Sequence, residues 1–364
     1  MFKYVLVPLD GSKYSEYILP GALQVAKGMG IPVALFHSVD ASSIQADEID
    51  RRPLPIITHD SAGAYGYSSG THGPDDERMP SGADGSDWVS MPGPHGSLDI
   101  LLPDQQQDRS NSNTLDRIIE SKSDLAERYL LQVARALQEH GVVVERAIEL
   151  EPAPDAIMRY IRGREGGLLA MTTHARSGID LWRMGSVADK VLQECNVPLM
   201  LFHPVEGQAF PTKINSILVP LDGSSVSESA LPVAEALAGR LNIPVHLTKI
   251  VPSGKEVYTG AGASPSYDSP PSEDPDDEHL RYLDRAKQRL TENDITADLK
   301  LMTGSAAEKI VEYALEDTLI VMATRGESGF LKRLLGGTAE KVLRSAHSPV
   351  LFVKPDGYPR VLNW

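Results

Sequence analysis

Two stretches of this 364-residue chain place small and hydroxyl-bearing residues where a phosphate could be held. The first reads Thr172-Thr173-His174-Ala175-Arg176-Ser177-Gly178, then Ile179–Met184, then Gly185-Ser186-Val187-Ala188-Asp189-Lys190-Val191. The second reads Ala323-Thr324-Arg325-Gly326-Glu327-Ser328-Gly329, then Phe330–Leu335, then Gly336-Gly337-Thr338-Ala339-Glu340-Lys341-Val342. Each puts small residues at a strand end, a loop, and small residues at a helix start. A helix N-terminus offers unpaired amides and the positive end of a dipole, so it attracts phosphate. Small residues let those amides approach without a Cβ in the way.

A second pair of candidates lies in a repeated sequence. Val-Pro-Leu-Asp-Gly-Ser occurs at 7–12 and again at 219–224, each time followed by Ser-Glu at the same spacing. Asp10 and Asp222 therefore fall at the carboxyl end of a first strand, where ligands of open α/β sheets bind. An equally simple reading makes them turn residues whose carboxylates bond nearby amides. Ser225-x-x-Glu228 fits a capping box.

Other chemistry is not written into the chain. There is no Ser-His-Asp order, no Cys-His pair and no Gly-Lys-Ser/Thr phosphate loop. His59, His72 and His95 lack metal-ligand spacing, so no metal site is assigned. His37 alternates with apolar neighbours and reads as a satisfied core histidine. His174 and Arg325 read as loop residues at a cleft mouth. Turnover would need a base or a charge-stabilising cation beside the phosphates, and only Arg176 and Arg325 are near enough in sequence. The sequence thus names no catalytic residue and favours binding over catalysis.

The elements that must position these groups recur in order. The first copy predicts strands at 4–9, 33–39, 142–147, 168–172 and 199–203, with helices at 15–29, 115–140, from Pro154, and from Gly185-Ser186. Gly28 and Gly30 read as stop signals for the first helix. The second copy predicts strands at 216–221, 245–251, 296–301, 319–323 and 350–353, with helices at 227–241, 278–292, 306–315 and 338–345. Alternating strands and helices give α/β architecture with parallel sheets, here two open sheets. The fifth strands each follow a Pro, which suits a sheet edge. The predicted division is a first domain over 1–203, a linker over 204–215 and a second domain over 216–354.

The copies differ mainly in one insertion. From 41 to 113 the chain is rich in Gly, Ser, Pro and Asp, a composition that predicts disorder. Trp88-Val89 and Ser97–Leu102 are its docking candidates. The second copy has a shorter stretch of the same kind at 252–277.

Composition narrows the class further. A net charge of −15 argues against sequence-independent binding to nucleic acid or anionic lipid. Hydrophobic residues make up 41% and charged residues 23%, as in ordinary globular domains. One cysteine, Cys195, excludes an internal disulfide framework and reads as a reduced, partly buried thiol. With no apolar run long enough for a bilayer and no leader pattern, the expected location is the cytoplasm.

The paired V-P-L-D-G-S…S-E starts, with G-S-V-A-D-K-V and G-G-T-A-E-K-V near the ends, make the chain resemble a tandem universal stress protein. The resemblance covers nearly the whole chain outside the two Gly/Ser-rich segments. It implies Rossmann-like domains of the adenine nucleotide alpha hydrolase-like type, each with five parallel strands in the order 3-2-1-4-5 and helices on both faces. It further implies that the two domains pair through their fifth strands, within one chain or in a homodimer. ATP, with Mg²⁺, is the implied ligand. Members that bind ATP carry Gly-x-x-Gly, nine residues, then Gly-Ser or Gly-Thr. Here those positions hold Thr172, Ala175, Gly185 and Ser186 in the first copy, and Ala323, Gly326, Gly336 and Gly337, followed by Thr338, in the second. Asp10 and Asp222 are implied near the nucleotide, and Ser38 and Lys249 where main chain meets adenine. With Gly326 kept, the second copy is the expected better binder. The alternatives to a binding module are an ATP-hydrolysing or group-transferring enzyme and a scaffold with decayed sites.

Overall fold

The structure, a computed structural model, describes residues 2–40, 58–59, 65–66, 107–173, 184–204, 210–211, 213–253, 275–324 and 335–355. Met1–Pro55 with Ser123–Trp364 form one compact unit and Ile56–Lys122 a second. In the second unit, β3 (Thr58–His59) and β4 (Tyr65–Gly66) form an antiparallel pair.

In the first unit, the first copy supplies β1 (Tyr4–Pro8), α1 (Lys13–Glu16), α2 (Leu19–Met29), β2 (Val33–Ser38), β5 (Val144–Glu149), α4 (Ala153–Arg162), β6 (Gly167–Thr172), α5 (Ser186–Glu194) and β7 (Leu199–Phe202). Helix α3 runs from Gln107 to Glu139 and so begins inside the segment expected to be loop. The remainder of 41–113, with Trp88-Val89 and Ser97–Leu102, lies outside the described residues apart from β3 and β4. The second copy supplies β8 (Ser216–Pro220), α6 (Ser225–Glu228), α7 (Leu231–Leu241), β9 (Val245–Val251), α8 (Pro275–Thr291), β10 (Ala297–Thr303), α9 (Ala306–Tyr313), β11 (Thr318–Ala323), α10 (Gly337–Ser345) and β12 (Val350–Val353).

The strands form one ten-stranded sheet in the order β10-β9-β8-β11-β12-β7-β6-β1-β2-β5. Each half reads 3-2-1-4-5, all neighbours are parallel, and the halves join where β12 meets β7 antiparallel. Leu351 faces Met200 at the centre of that join. The two sheets inferred from sequence are therefore continuous. The strands that follow Pro198 and Pro349 lie at the middle of the sheet rather than at a free edge. The outer strands are β5 and β10, whose Glu145, Arg146, Glu149, Asp298 and Lys300 disfavour further strand addition.

Apolar runs explain the central strands. Val5, Leu6 and Val7, like Ile217, Leu218 and Val219, are fully buried, as expected of parallel strands covered on both faces. Each such side chain contributes about 1.5–3 kcal/mol by leaving water. The first helix of each copy is broken. Pro20 and Pro232 lack the N–H that would continue the ladder, so α1 and α6 stop after one turn and α2 and α7 restart at the prolines.

The two copies also meet through α2 and α7. A Cβ on Gly21 would lie 2.3 Å from Phe210 Cζ, and one on Gly28 would lie 2.3 Å from Leu241 Cδ2. Gly28 is thus a packing residue, not a stop signal. Gly30 does end α2, with φ +66. Gln24 Nε2 donates to the Ile214 carbonyl at 2.7 Å, and its Oε1 accepts from the Ile214 amide at 2.6 Å. No described helix is long and apolar enough to cross a membrane.

Candidate functional site

The strand order reverses on either side of β1, because β2 lies on one side of it and β6 on the other. A cleft of about 510 Å³ opens there, at the carboxyl ends of the strands. Its size is typical of small-ligand sites. Asp10 and Ser15 bound it on the side of β1, and Phe36 and Ser38 on the side of β2. Ile157 of α4 and Met171 of β6 form apolar walls. Thr172, Gly185 and Ser186 close it at the start of α5.

Asp10 belongs to the cleft and is also a turn residue. Its Oδ1 accepts from the Ser12 amide at 2.9 Å, while its own amide donates to Ser15 Oγ at 3.4 Å. Gly11, at φ +80, allows the chain to turn back there. Asp222 repeats the arrangement: Oδ1 accepts from the Ser224 amide at 2.8 Å, and Gly223 has φ +98. The capping residue of α6 is Ser224, whose Oγ accepts from the Ser227 amide at 3.1 Å. The capping box placed on Ser225 and Glu228 is therefore one residue late, and Glu228 is buried instead.

The loop after the fourth strand closes on a threonine that sequence reasoning passed over. Gly185 N donates to the Thr173 carbonyl at 3.0 Å, and Gly336 N to the Thr324 carbonyl at 2.7 Å. Thr173 Oγ1 also pairs with His203 Nδ1 at 2.8 Å. A Cβ on Gly185 would stand 3.2 Å from the Thr173 carbonyl oxygen, which favours glycine there. The identity of Thr173 and Thr324 in the two copies was the available signal. Neither α5 nor α10 has a side-chain cap, which leaves their first-turn amides without a side-chain acceptor, and Ser186, Val187 and Ala188 of α5 are among the residues that line the cleft.

In the second copy, Ala323, Gly336, Gly337 and Thr338 stand at the matching strand end and helix start. Ala175 and Gly326 lie outside the described residues, as do His174, Arg176 and Arg325.

Ser38 and Lys249 are not equivalent. Val33 pairs with Val5 and Val245 with Ile217, so Lys249 matches His37, while Ser38 matches Ile250. Adjacent residues of a strand face opposite sides. Ser38 lines the cleft, and its hydroxyl donates to the Glu151 carbonyl. Lys249 faces α8: Nζ lies 5.0 Å from the centre of the Tyr282 ring and donates to the Asp222 carbonyl at 2.6 Å. Its role is to hold the Asp222 loop from behind.

His37 occupies that rear face in the first copy, with its ring 6.3 Å from that of Tyr129. Its Nδ1 is buried without a hydrogen-bond partner, while the ring also bonds the Leu9 backbone, so the satisfied core histidine expected is only partly satisfied. Burial pushes its pKa down, against a contact with the Leu9 backbone and the charge of Asp10. Beside it, the buried Glu16 accepts from the Tyr129 hydroxyl at 2.8 Å. Burial raises the Glu16 carboxyl to about 7, opposed by that hydrogen bond and by Lys13. Cys195 is fully buried, which raises its pKa and removes it from surface chemistry. Among the described residues, no group of His, Cys, Asp and Glu could hold a metal ion.

Comparison with known proteins agrees with this arrangement. A profile of the universal stress protein family matches residues 97–203 and 213–354. A universal stress protein of Methanocaldococcus jannaschii is 34% identical over 140 residues, covering 38% of this chain and 81% of the relative. One from Bacillus subtilis is 29% identical over 149 residues, covering 38% of this chain and 99% of the relative. Among solved structures, a universal stress protein from Archaeoglobus fulgidus aligns over 97% of this chain and 98% of its own, with TM-score 0.58 and 17% identity. At that identity the likeness concerns the fold.

Proposed function

Because the chain belongs to the universal stress protein family, we propose that it is a tandem stress-response module that binds adenine nucleotide and acts by changing conformation or partners. On this reading 1–203 and 216–354 are its two universal stress domains, with 204–215 between them. The observation that carries it is the first-copy cleft, bounded by the Asp10 turn on one side and the uncapped start of α5 on the other. The apolar walls at Ile157 and Met171 suit a base or ribose face. The amides at the start of α5 suit phosphate.

Asp10, Ser38, Thr172, Gly185 and Ser186 would contact nucleotide in the first copy, with Ala175 in the loop between. Asp222, Ala323, Gly326, Gly336, Gly337 and Thr338 would do so in the second. Lys249 leaves this set for its place behind the loop, and Ile250 takes the position matching Ser38. Magnesium, when bound with ATP, would be held through the phosphates. Within the cleft of the first copy, the described side chains supply no lysine, arginine or histidine to stabilise a transferring phosphoryl group. Arg176 and Arg325, the cations nearest these sites in sequence, lie outside the described residues, so the turnover assay below decides between binding and catalysis.

The experiment is to denature freshly purified protein and identify released small molecules by mass spectrometry, then incubate the protein with ATP and Mg²⁺. Released adenine nucleotide with no ADP production supports a binding module. Sustained ADP or AMP release would make it an enzyme, and neither retention nor binding would make it a scaffold.

A further inference from the structure

Phe36 and Thr248 hold the same place in the two halves. Phe36 pairs with Pro8, and its carbonyl accepts from the Leu9 amide at 2.8 Å. Thr248 pairs with Pro220, and its carbonyl accepts from the Leu221 amide at 2.8 Å. Phe36 lines the cleft of the first copy with its ring 5.5 Å from that of Tyr160 in α4. Thr248 stands between His246, whose ring lies 6.1 Å from Tyr313 of α9, and Ile250, which packs on the core. Strand alternation therefore turns Thr248 toward the α9 side, the counterpart of the cleft face in the first copy. It is 0% exposed, and its Oγ1 has no hydrogen-bond partner.

A buried hydroxyl without a partner is costly, and native structures rarely keep one without a purpose. The neighbouring exchanges run the other way. Ser38, Thr172 and Ser186 of the first copy are matched by Ile250, Ala323 and Gly337. The second copy has thus lost hydroxyls at those three positions and gained one in place of an aromatic ring.

We propose that Thr248 is a specificity-determining residue of the corresponding site in the second copy, its hydroxyl bonding the polar edge of a bound heterocyclic base. This rests on the reading that both copies bind nucleotide. Sheet order gives the orientation: β9 and β11 flank β8, and α10 follows β11. Phosphate at the start of α10 leaves the base directed toward β9, where Thr248 stands. Phe36 offers the first cleft only an aromatic face. The two halves accordingly recognise the same ligand class by different contacts.

Met171 and Met322 occupy matching places on β6 and β11. Their ¹³C-labelled methyl groups report the two halves separately in an NMR titration of the full chain with ATP and Mg²⁺. Thr248→Val removes the hydroxyl and keeps the branched shape; Thr248→Ser keeps the hydroxyl. In Thr248→Val the Met322 midpoint should move to about tenfold higher ATP, the value of one hydrogen bond, while the Met171 midpoint stays. Thr248→Ser should bind within about twofold of wild type on the same scale. An unmoved Met322 midpoint, an equal loss at both methyls, or an equal loss in both variants overturns the proposal while leaving nucleotide binding intact. If neither methyl responds to ATP in wild type, the nucleotide reading itself fails and this inference falls with it.

Discussion

Glu16 Oε1 accepts the Tyr129 hydroxyl at 2.8 Å, joining two buried side chains that are 113 residues apart in sequence. The Glu16 carboxyl is raised from 4.5 to about 7, because burial penalises its charged form more than the hydrogen bond favours it. Unfolding returns it to its ordinary value. Between those two values the unfolded chain binds fewer protons, so stability falls as pH rises through the window and levels off above about 7. The gap corresponds to roughly 3 kcal/mol. Glu16→Gln should therefore be more stable than wild type at pH 8, with the difference shrinking toward pH 5. Urea unfolding of both proteins across that range checks it. Parallel curves would show that Glu16 does not carry the dependence.

A second expectation concerns the contact between the copies. Gly21→Ala should destabilise by about 1–3 kcal/mol, because the new Cβ meets the buried Phe210 ring end-on. That ring cannot retreat easily, since it packs on Phe202 at 4.9 Å between centroids. Gly28→Ala should cost less, because Leu241 Cδ2 is the end of a rotatable side chain. Helix propensity favours Ala at both sites by about 1 kcal/mol, so the difference between the variants isolates the contact. Denaturant midpoints of the two variants measure it, and equal midpoints would refute it.

Much of the scaffold was legible because apolar runs and proline breaks are local signals. Strands β9 and β12 fall where the sequence put them, and the fifth strands pair, as the family resemblance implied, in antiparallel sense. The errors came from single-residue shifts and from distant partners. A shift of one position on a strand reverses the face, which is why Lys249 was grouped with Ser38 rather than with His37. Glu16 showed in the sequence only as half of a repeated Ser-Glu pair, because its burying partner, Tyr129, belongs to a helix beyond the insertion. The unmade bond of Thr248 was invisible for the same reason: only the sheet register shows which face it takes.

The serine caps offer a third check. Ser12 and Ser224 each accept from the amide three residues on, at 3.2 and 3.1 Å. Ser12→Ala and Ser224→Ala should each cost about 1 kcal/mol. The sites lie in different copies and share no hydrogen-bond partner in their turns, so the double variant should show the sum within about 0.5 kcal/mol. Strong non-additivity in thermal or urea unfolding would mean that the two turns communicate.

Ser186 tests the helix-start contact directly. Its side chain is exposed at the first turn of α5 and lines the cleft. If it bonds phosphate, Ser186→Ala should weaken ATP binding in the first copy about 10- to 100-fold, as expected for a hydrogen bond to a charged group. The ¹³C-methyl shift of Met171 reads that midpoint. Retained affinity would leave phosphate recognition to the backbone amides alone.

The central claim is that this chain binds adenine nucleotide and does not consume it, and calorimetric titration of ATP with Mg²⁺ into nucleotide-stripped full-length protein tests it most directly. The account expects saturable heat, with ATP recovered unchanged from the cell afterwards. An absence of heat from protein confirmed to be folded and stripped, or heat that continues as ATP is converted to ADP, would contradict it.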